Sequence, residues 1–228
     1  DGLPIILDLE ASRGCELVDA ITGQRYLDLF GFVSSNALGM NHPRLTDPAV
    51  AAEIGRIALH KPSNSDIYNV AMAEFVETFR RVLGDPRLPH YFFIEGGGLA
   101  IENALKAAFD YKSRLNESRG LSPALGTRVL HLRYAFHGRT GYALSATDSP
   151  HIAKTLHFPR FDWPMFEPPV RRFPEDPDYE NRAAKCLGEI DAWCAAHPDE
   201  VAALIVDPVQ GEGGDRHMGA SFFKGLRG

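Results

Sequence analysis

The chain has 228 residues, 44% hydrophobic and 24% charged, enough for one large domain or two small ones around a sizeable core. Its formal charge of −6 comes from interspersed acids and bases without a basic run, which argues against nucleic acid or a membrane surface as the main partner. No apolar run approaches the roughly 20 residues that span a bilayer, and Asp1-Gly2-Leu3-Pro4 lacks the basic start and apolar core of a secretion signal. The cysteines are Cys15, Cys186 and Cys194, an odd count with no C-x-x-C pair. Neither a disulfide framework nor a metal site is expected, and a reducing cytoplasm fits best.

In chain order, residues 5–9 and 15–19 read as short strands. Alternation of apolar and polar residues on both sides of Thr22-Gly23 predicts a hairpin. Residues 32–43, rich in Ser, Asn and Gly, form a loop, and a short helix covers 49–59. The run Lys61-Pro62-Ser63-Asn64-Ser65-Asp66 breaks the pattern and offers helix caps. Val70, Ala71, Val76, Phe79, Val82 and Leu83 then mark one face of a helix that stops at Gly84.

Tyr91-Phe92-Phe93-Ile94 predicts a buried strand, and Gly96-Gly97-Gly98 leads from it into a helix with apolar positions Ile101, Ala104, Leu105, Ala108, Phe109 and Leu115. Bare glycines before a helix N-terminus leave outward amides at the positive end of the helix dipole, a place for a phosphate. The same glycines also suit a tight turn that binds nothing. A nucleotide-binding glycine fingerprint fits poorly, because Ile101 stands where its last glycine or alanine belongs.

Residues 128–132 predict a second buried strand, followed by Tyr134-Ala135-Phe136-His137-Gly138-Arg139. Residues 157–174 carry five prolines and read as a packed surface loop. Asp176-Pro177-Asp178 opens a helix, with a cap, Pro177 at its first position and an acidic first turn, running to about His197, with Cys186 and Cys194 on one face. A third buried strand, 202–206, leads into Asp207-Pro208-Val209-Gln210-Gly211-Glu212. Strands alternating with helices predict an α/β fold with a mostly parallel sheet and helices on both faces. Ligands in such folds bind beyond the strands' carboxyl ends, where three polar turns would meet. They offer amides, an aromatic face, an imidazole, a guanidinium and carboxylates, an inventory suited to a flat phosphorylated cofactor and a carboxylate substrate. Taken singly, each residue also has a structural reading: Phe136 as core, His137 as a hydrogen-bonding buried histidine, Arg139 as a surface ion pair, Asp207 as a turn residue.

Several runs resemble the class III (ω-type) aminotransferases. They are Leu38-Gly39-Met40-Asn41-His42-Pro43, Phe136-His137-Gly138-Arg139 and Pro208-Val209-Gln210-Gly211-Glu212-Gly213-Gly214. Residues 61–66, 95–108, 123–127, 161–164 and 211–217 are most similar to the branch of that family that acts on the ε-amino group of L-lysine.

The resemblance implies a fold-type I pyridoxal-phosphate-dependent transferase, truncated. Residues 1–60 would belong to a small α+β N-terminal domain, and residues 61–228 to a partial large cofactor-binding domain. It implies pyridoxal 5′-phosphate as cofactor, with Gly97 and Gly98 holding the phosphate, Phe136 stacking on the ring, and His137 and Asp207 beside it. Arg139 would bind a substrate carboxylate, and Glu212 would be the glutamate that covers or releases a second arginine as L-lysine and 2-oxoglutarate alternate. Asp207 stands where the family has Glu. None of the chain's lysines matches the one that bonds to the cofactor, so that lysine and the ring-nitrogen aspartate are expected beyond residue 228, and the chain alone is expected to be inactive. The apolar pattern begun at Ser221–Gly228 likewise predicts a longer protein, a homodimer by the family's habit. Ornithine, acetylornithine or 4-aminobutyrate as donor, or a non-catalytic protein that keeps the fold, are the alternatives.

Overall fold

The computed structural model describes residues 3–62 and 66–228, and the chain forms two compact units, residues 1–89 and 90–228. In the first, strands β1 (Glu16–Val18) and β2 (Arg25–Leu27) pair antiparallel with Val18 opposite Arg25, forming the predicted hairpin. Asp19 closes its turn: the carboxylate accepts from the amides of Ile6 (2.9 Å) and Thr22 (3.1 Å). Residues 5–9 do not form the predicted strand. Only Leu7 bridges to Asp19, because the Asp8 carboxylate turns the chain by accepting from the amides of Glu10 and Ala11.

Helix α1 (Pro48–Ala58) starts on the Asp47 carboxylate and has Pro48 in its first turn. Helix α2 (Val70–Leu83) is capped by Asn69, whose side chain accepts from the Met72 amide at 2.9 Å. Its cap therefore lies beyond the predicted run 61–66, of which Ser63, Asn64 and Ser65 are outside the described residues. No residue of α1 or α2 is buried. The apolar stripe read from the sequence is present on α2, with Val70 73% exposed.

The second unit is built on strand β3 (Arg128–Leu132). Helix α3 (Gly97–Ser118) precedes it, a short helix α4 (Gly141–Ser145) follows it, and strand β4 (Met165–Phe166) lies within the proline-rich loop. Helix α5 (Tyr179–Ala196) leads to strand β5 (Val201–Leu204), a two-stranded antiparallel pair, β6 (Val209–Gln210) and β7 (Arg216–His217), and helix α6 (Ala220–Gly225). The sheet order is β4-β3-β5 and both pairings are parallel, with His131 opposite Met165 and Leu130 opposite Leu204.

Successive residues of β3 point to opposite faces. Leu130 and Leu132 pack with Tyr179, Ala183, Cys186 and Ile190 of α5 and Phe222 of α6. Val129 packs on the other side with Leu105 of α3, Ala146 and Trp163. Helices therefore cover both faces, as predicted. Cys186 is 3% exposed, and burial pushes its thiol pKa up to about 11, so it behaves as a core residue.

Two details differ from the sequence reading. Residues 91–94 form no strand, and Phe92 is 68% exposed. An apolar run becomes a strand only where another strand takes its backbone groups, and among the described residues none pairs with it. Pro177 lies one residue before the helix cap, Asp178, rather than in the first turn, and Asp176 turns back to accept from the Arg172 amide.

Phe222 is fully buried and is the residue that seats α6 on α5. Phe222→Ala is expected to cost about 3–5 kcal/mol in urea unfolding, with an unchanged denaturant slope. His131 is 4% exposed, and burial, then the neighbouring His137, push its pKa from 6.5 to about 4. The unfolded chain therefore binds a proton at His131 before the folded one does. Stability should be flat above pH 6.5 and fall between 6.5 and 4, by on the order of 3 kcal/mol for this residue. His131→Phe is expected to flatten the part of that acid limb due to His131 in urea midpoints measured across the window, leaving the part due to His137, whose pKa burial also lowers.

Candidate functional site

All seven residues singled out from the sequence lie in the second unit. Gly96, with φ +89°, turns the chain so that α3 begins at Gly97 without a side-chain cap and without an acid in its first turn. The amides of Gly97, Gly98 and Leu99 have no acceptor among the described residues. A Cβ built on Gly97 meets nothing within 4 Å, so the space beside that residue is open. Three free amides at the positive end of a 22-residue helix make an anion cradle.

The second turn touches the first through backbone. Gly138 has φ +127°, and a Cβ there would stand 2.8 Å from the Gly98 Cα and 3.2 Å from the Ala143 Cβ. Glu102, 9% exposed, fixes the approach from α3: its Oε1 accepts from the Thr140 hydroxyl and from the Ala143 amide, both at 2.9 Å. That carboxylate supplies the N-terminal cap that Thr140 does not provide for α4. The buried Thr147 hydroxyl accepts from the His137 amide (2.9 Å) and donates to the Gly138 carbonyl (2.8 Å), closing the turn on itself.

The third turn meets the second through Asp207. One carboxylate oxygen accepts from the Phe136 amide at 3.3 Å, and the other stands 3.5 Å from His137 Nδ1. His137 is buried, and burial lowers its pKa while Asp207 opposes the shift. Its Nε2 has no hydrogen-bond partner among the described residues. Gln210, 1% exposed, donates to the Arg133 carbonyl at 2.8 Å, and a Cβ on Gly213 would come within 2.6 Å of the Tyr134 carbonyl oxygen. The Arg216 guanidinium lies 3.7 Å over the Tyr134 ring.

The geometry therefore joins Gly98, Phe136, His137 and Asp207 in one continuous set of contacts. Arg139 is exposed and makes no hydrogen bond or ion pair among the described residues. Glu212 is held by the Ser149 hydroxyl and, at 3.0 Å, by the Lys154 ammonium. Sequence reasoning missed Glu102, Thr147, Ser149 and Lys154. Glu102 carries one readable signal, an acid among the apolar positions of α3; the other three carry none. The donor set fits a flat phosphorylated ring: free amides for the phosphate, a half-buried aromatic face at Phe136, and a carboxylate–imidazole pair beside it.

Gly138→Ala would force a side chain into a backbone contact and a positive φ, and is expected to cost about 2–3 kcal/mol by thermal or urea denaturation. Gly97→Ala, with open space before it, should cost less than about 1 kcal/mol.

The sequence model described as Aminotransferase class-III matches residues 1–228. The L-lysine-epsilon aminotransferase of Mycobacterium tuberculosis is 57% identical over 230 residues, which cover 100% of this chain and 51% of that protein. The 4-aminobutyrate aminotransferase of Emericella nidulans is 30% identical over 247 residues, covering 99% of this chain and 49% of the relative. A solved structure of the M. tuberculosis lysine aminotransferase superposes with a TM-score of 0.95 at 56% identity, over 100% of this chain and 52% of that one. The chain spans about half the length of the curated relatives it matches. Its parallel three-stranded sheet, covered on both faces, is one part of the fold-type I architecture, and the chain belongs to the class-III aminotransferase family.

Proposed function

We propose that the protein to which this chain belongs moves the ε-amino group of L-lysine to 2-oxoglutarate, giving 2-aminoadipate 6-semialdehyde and L-glutamate, with pyridoxal 5′-phosphate as cofactor. The observation that carries this reading is the gap between 57% identity to a lysine enzyme and 30% to a 4-aminobutyrate enzyme over essentially the same stretch. That stretch includes all three turns of the site.

When bound, the cofactor would supply an electron sink for the carbon that loses or gains the amine. The chain's own residues would seat and orient it. Gly97 and Gly98 would hold the phosphate through their free amides. Phe136 would pack its ring against the cofactor's face, excluding water from that side. Asp207 fixes the Phe136 backbone and keeps a negative charge beside His137. The family has Glu at this position; the shorter Asp207 still reaches both partners in this chain. Arg139, without a hydrogen bond or ion pair among the described residues, would take a substrate carboxylate. A donor with a distal amine and an acceptor with two carboxylates must use one pocket in turn, so one charge must be movable, and Glu212 is the group proposed to move.

The lysine that bonds to the cofactor and the aspartate that pairs with its ring nitrogen are assigned to the half of the protein this chain does not span. With them, the proposed domain pattern is a small N-terminal part ending near residue 60, a large cofactor domain after it, and a cytoplasmic homodimer.

On the full-length protein, kcat/KM with 2-oxoglutarate as acceptor is expected to be at least about tenfold higher for L-lysine than for L-ornithine, N-acetylornithine or 4-aminobutyrate. An equal or higher value for one of those donors would move the substrate assignment to it. No transfer from any donor would favour a non-catalytic protein that keeps the fold. The 228-residue chain by itself is expected to transfer nothing and to show no stoichiometric pyridoxyl-lysine after borohydride reduction with the cofactor.

A further inference from the structure

An open cavity of about 380 Å³ lies beside Thr147, and none of the seven residues singled out from the sequence lines it. Its lining carries charges of both signs that do not neutralise each other. Among the described residues that line it, Arg160 is the one cation, and Asp148 and Asp162 are the carboxylates. His131 lines it too, but with its pKa pushed by burial to about 4 the ring is neutral at ordinary pH. Asp148 is committed, since one of its oxygens accepts from the Tyr134 amide at 3.0 Å. Arg160 spends one of its five donors on the Thr147 carbonyl, at 3.3 Å, and forms no ion pair among the described residues. The Asp162 carboxylate likewise has no hydrogen bond or ion pair among them. Opposite charges that share a cavity without closing on each other leave room for a ligand that carries both.

The rest of the wall is aromatic. Phe161 stacks on Trp163, with ring centroids 5.4 Å apart and planes 13° apart. Trp163 is 7% exposed and anchors the stack, whereas Phe161 is 55% exposed. Phe158 lines the same cavity and is also 55% exposed. A ring held by a buried neighbour gives an aromatic ligand a surface to lie on at little cost in ordering.

We propose that this cavity is a second ligand site, for a free α-amino acid with an aromatic side chain. Its carboxylate pairs with the planar fork of Arg160, its ammonium with Asp162, and its ring lies on Phe158 and Phe161. A monoanion would leave the Asp162 carboxylate unanswered, and a simple amine would leave the guanidinium so; neither matches the lining. The inference does not rest on the amine-transfer reading. The cavity meets the candidate site through Thr147, whose carbonyl takes Arg160 and whose hydroxyl closes the turn of His137 and Gly138.

The test is calorimetric titration of L-phenylalanine, 3-phenylpropionate, phenethylamine and L-alanine into the full-length protein, with far-UV circular dichroism to check that each variant keeps its fold. L-phenylalanine should bind at least about tenfold more tightly than the other three, which lack in turn the ammonium, the carboxylate and the ring. Arg160→Gln should weaken both L-phenylalanine and 3-phenylpropionate, by about tenfold. Asp162→Asn should weaken L-phenylalanine by about threefold to tenfold and bind 3-phenylpropionate as well as the parent or better. Both side chains are exposed, so neither change disturbs the core. Arg139→Gln, in the candidate site, should leave L-phenylalanine binding unchanged. No binding of L-phenylalanine in the millimolar range, unchanged binding in Arg160→Gln or Asp162→Asn, or loss of binding in Arg139→Gln would overturn the proposal.

Discussion

The site depends on one contact without side chains, the approach of Gly138 to Gly98. The first turn brings the helix-start amides and the second brings the aromatic ring, and the two come together only because Gly138 carries no Cβ at the crossing, where one would stand 2.8 Å from the Gly98 Cα. Glu102 turns that approach into a fixed distance. A carboxylate that is 9% exposed must have partners, and here the partners are a hydroxyl and an amide of the opposite turn. The acid on α3 therefore sets the spacing between the amides at the start of that helix and the turn that carries Phe136. The third turn is tied in the same manner, by Asp207 to the Phe136 amide.

Much of this framework is legible in the sequence. The five-residue run of β3 points to a strand buried on both faces, and the structure places α5 on Leu130 and Leu132 and α3 on Val129. The hairpin is readable because Thr22-Gly23 interrupts an alternating pattern that resumes on the other side. The strand predicted at 91–94 is a different case. Its apolar residues carry a preference, but a strand is a property of two segments, and none of the described strands pairs with this one. The stripe on α2 teaches the same point for a helix: periodicity states which face is apolar, not what covers it.

The polar partners were the least legible. Glu102 interrupts an apolar periodicity, and read locally it belongs on the outside of the helix. Lys154 and Ser149 sit in a segment with no motif, and their meaning arises only when the chain folds them onto Glu212. His131 reads as an odd letter in a buried strand, yet burial and the neighbouring His137 hold it neutral at ordinary pH. These residues act through contacts distant in sequence, which neither propensity nor spacing encodes.

The Thr147 hydroxyl joins the two ends of the segment from His137 to Thr147, accepting from the His137 amide and donating to the Gly138 carbonyl. Mechanically that makes the segment a closed ring, with α4 as one of its sides, and a ring of this size has few internal motions left to lose. The piece that follows is an arm rather than a ring: Ser149 to Lys154 ends in one 3₁₀ turn and leans on Glu212. The half-buried Phe136 ring adjoins the closed segment and the Glu212 carboxylate is held by the arm, so the two are positioned by different stretches of the chain.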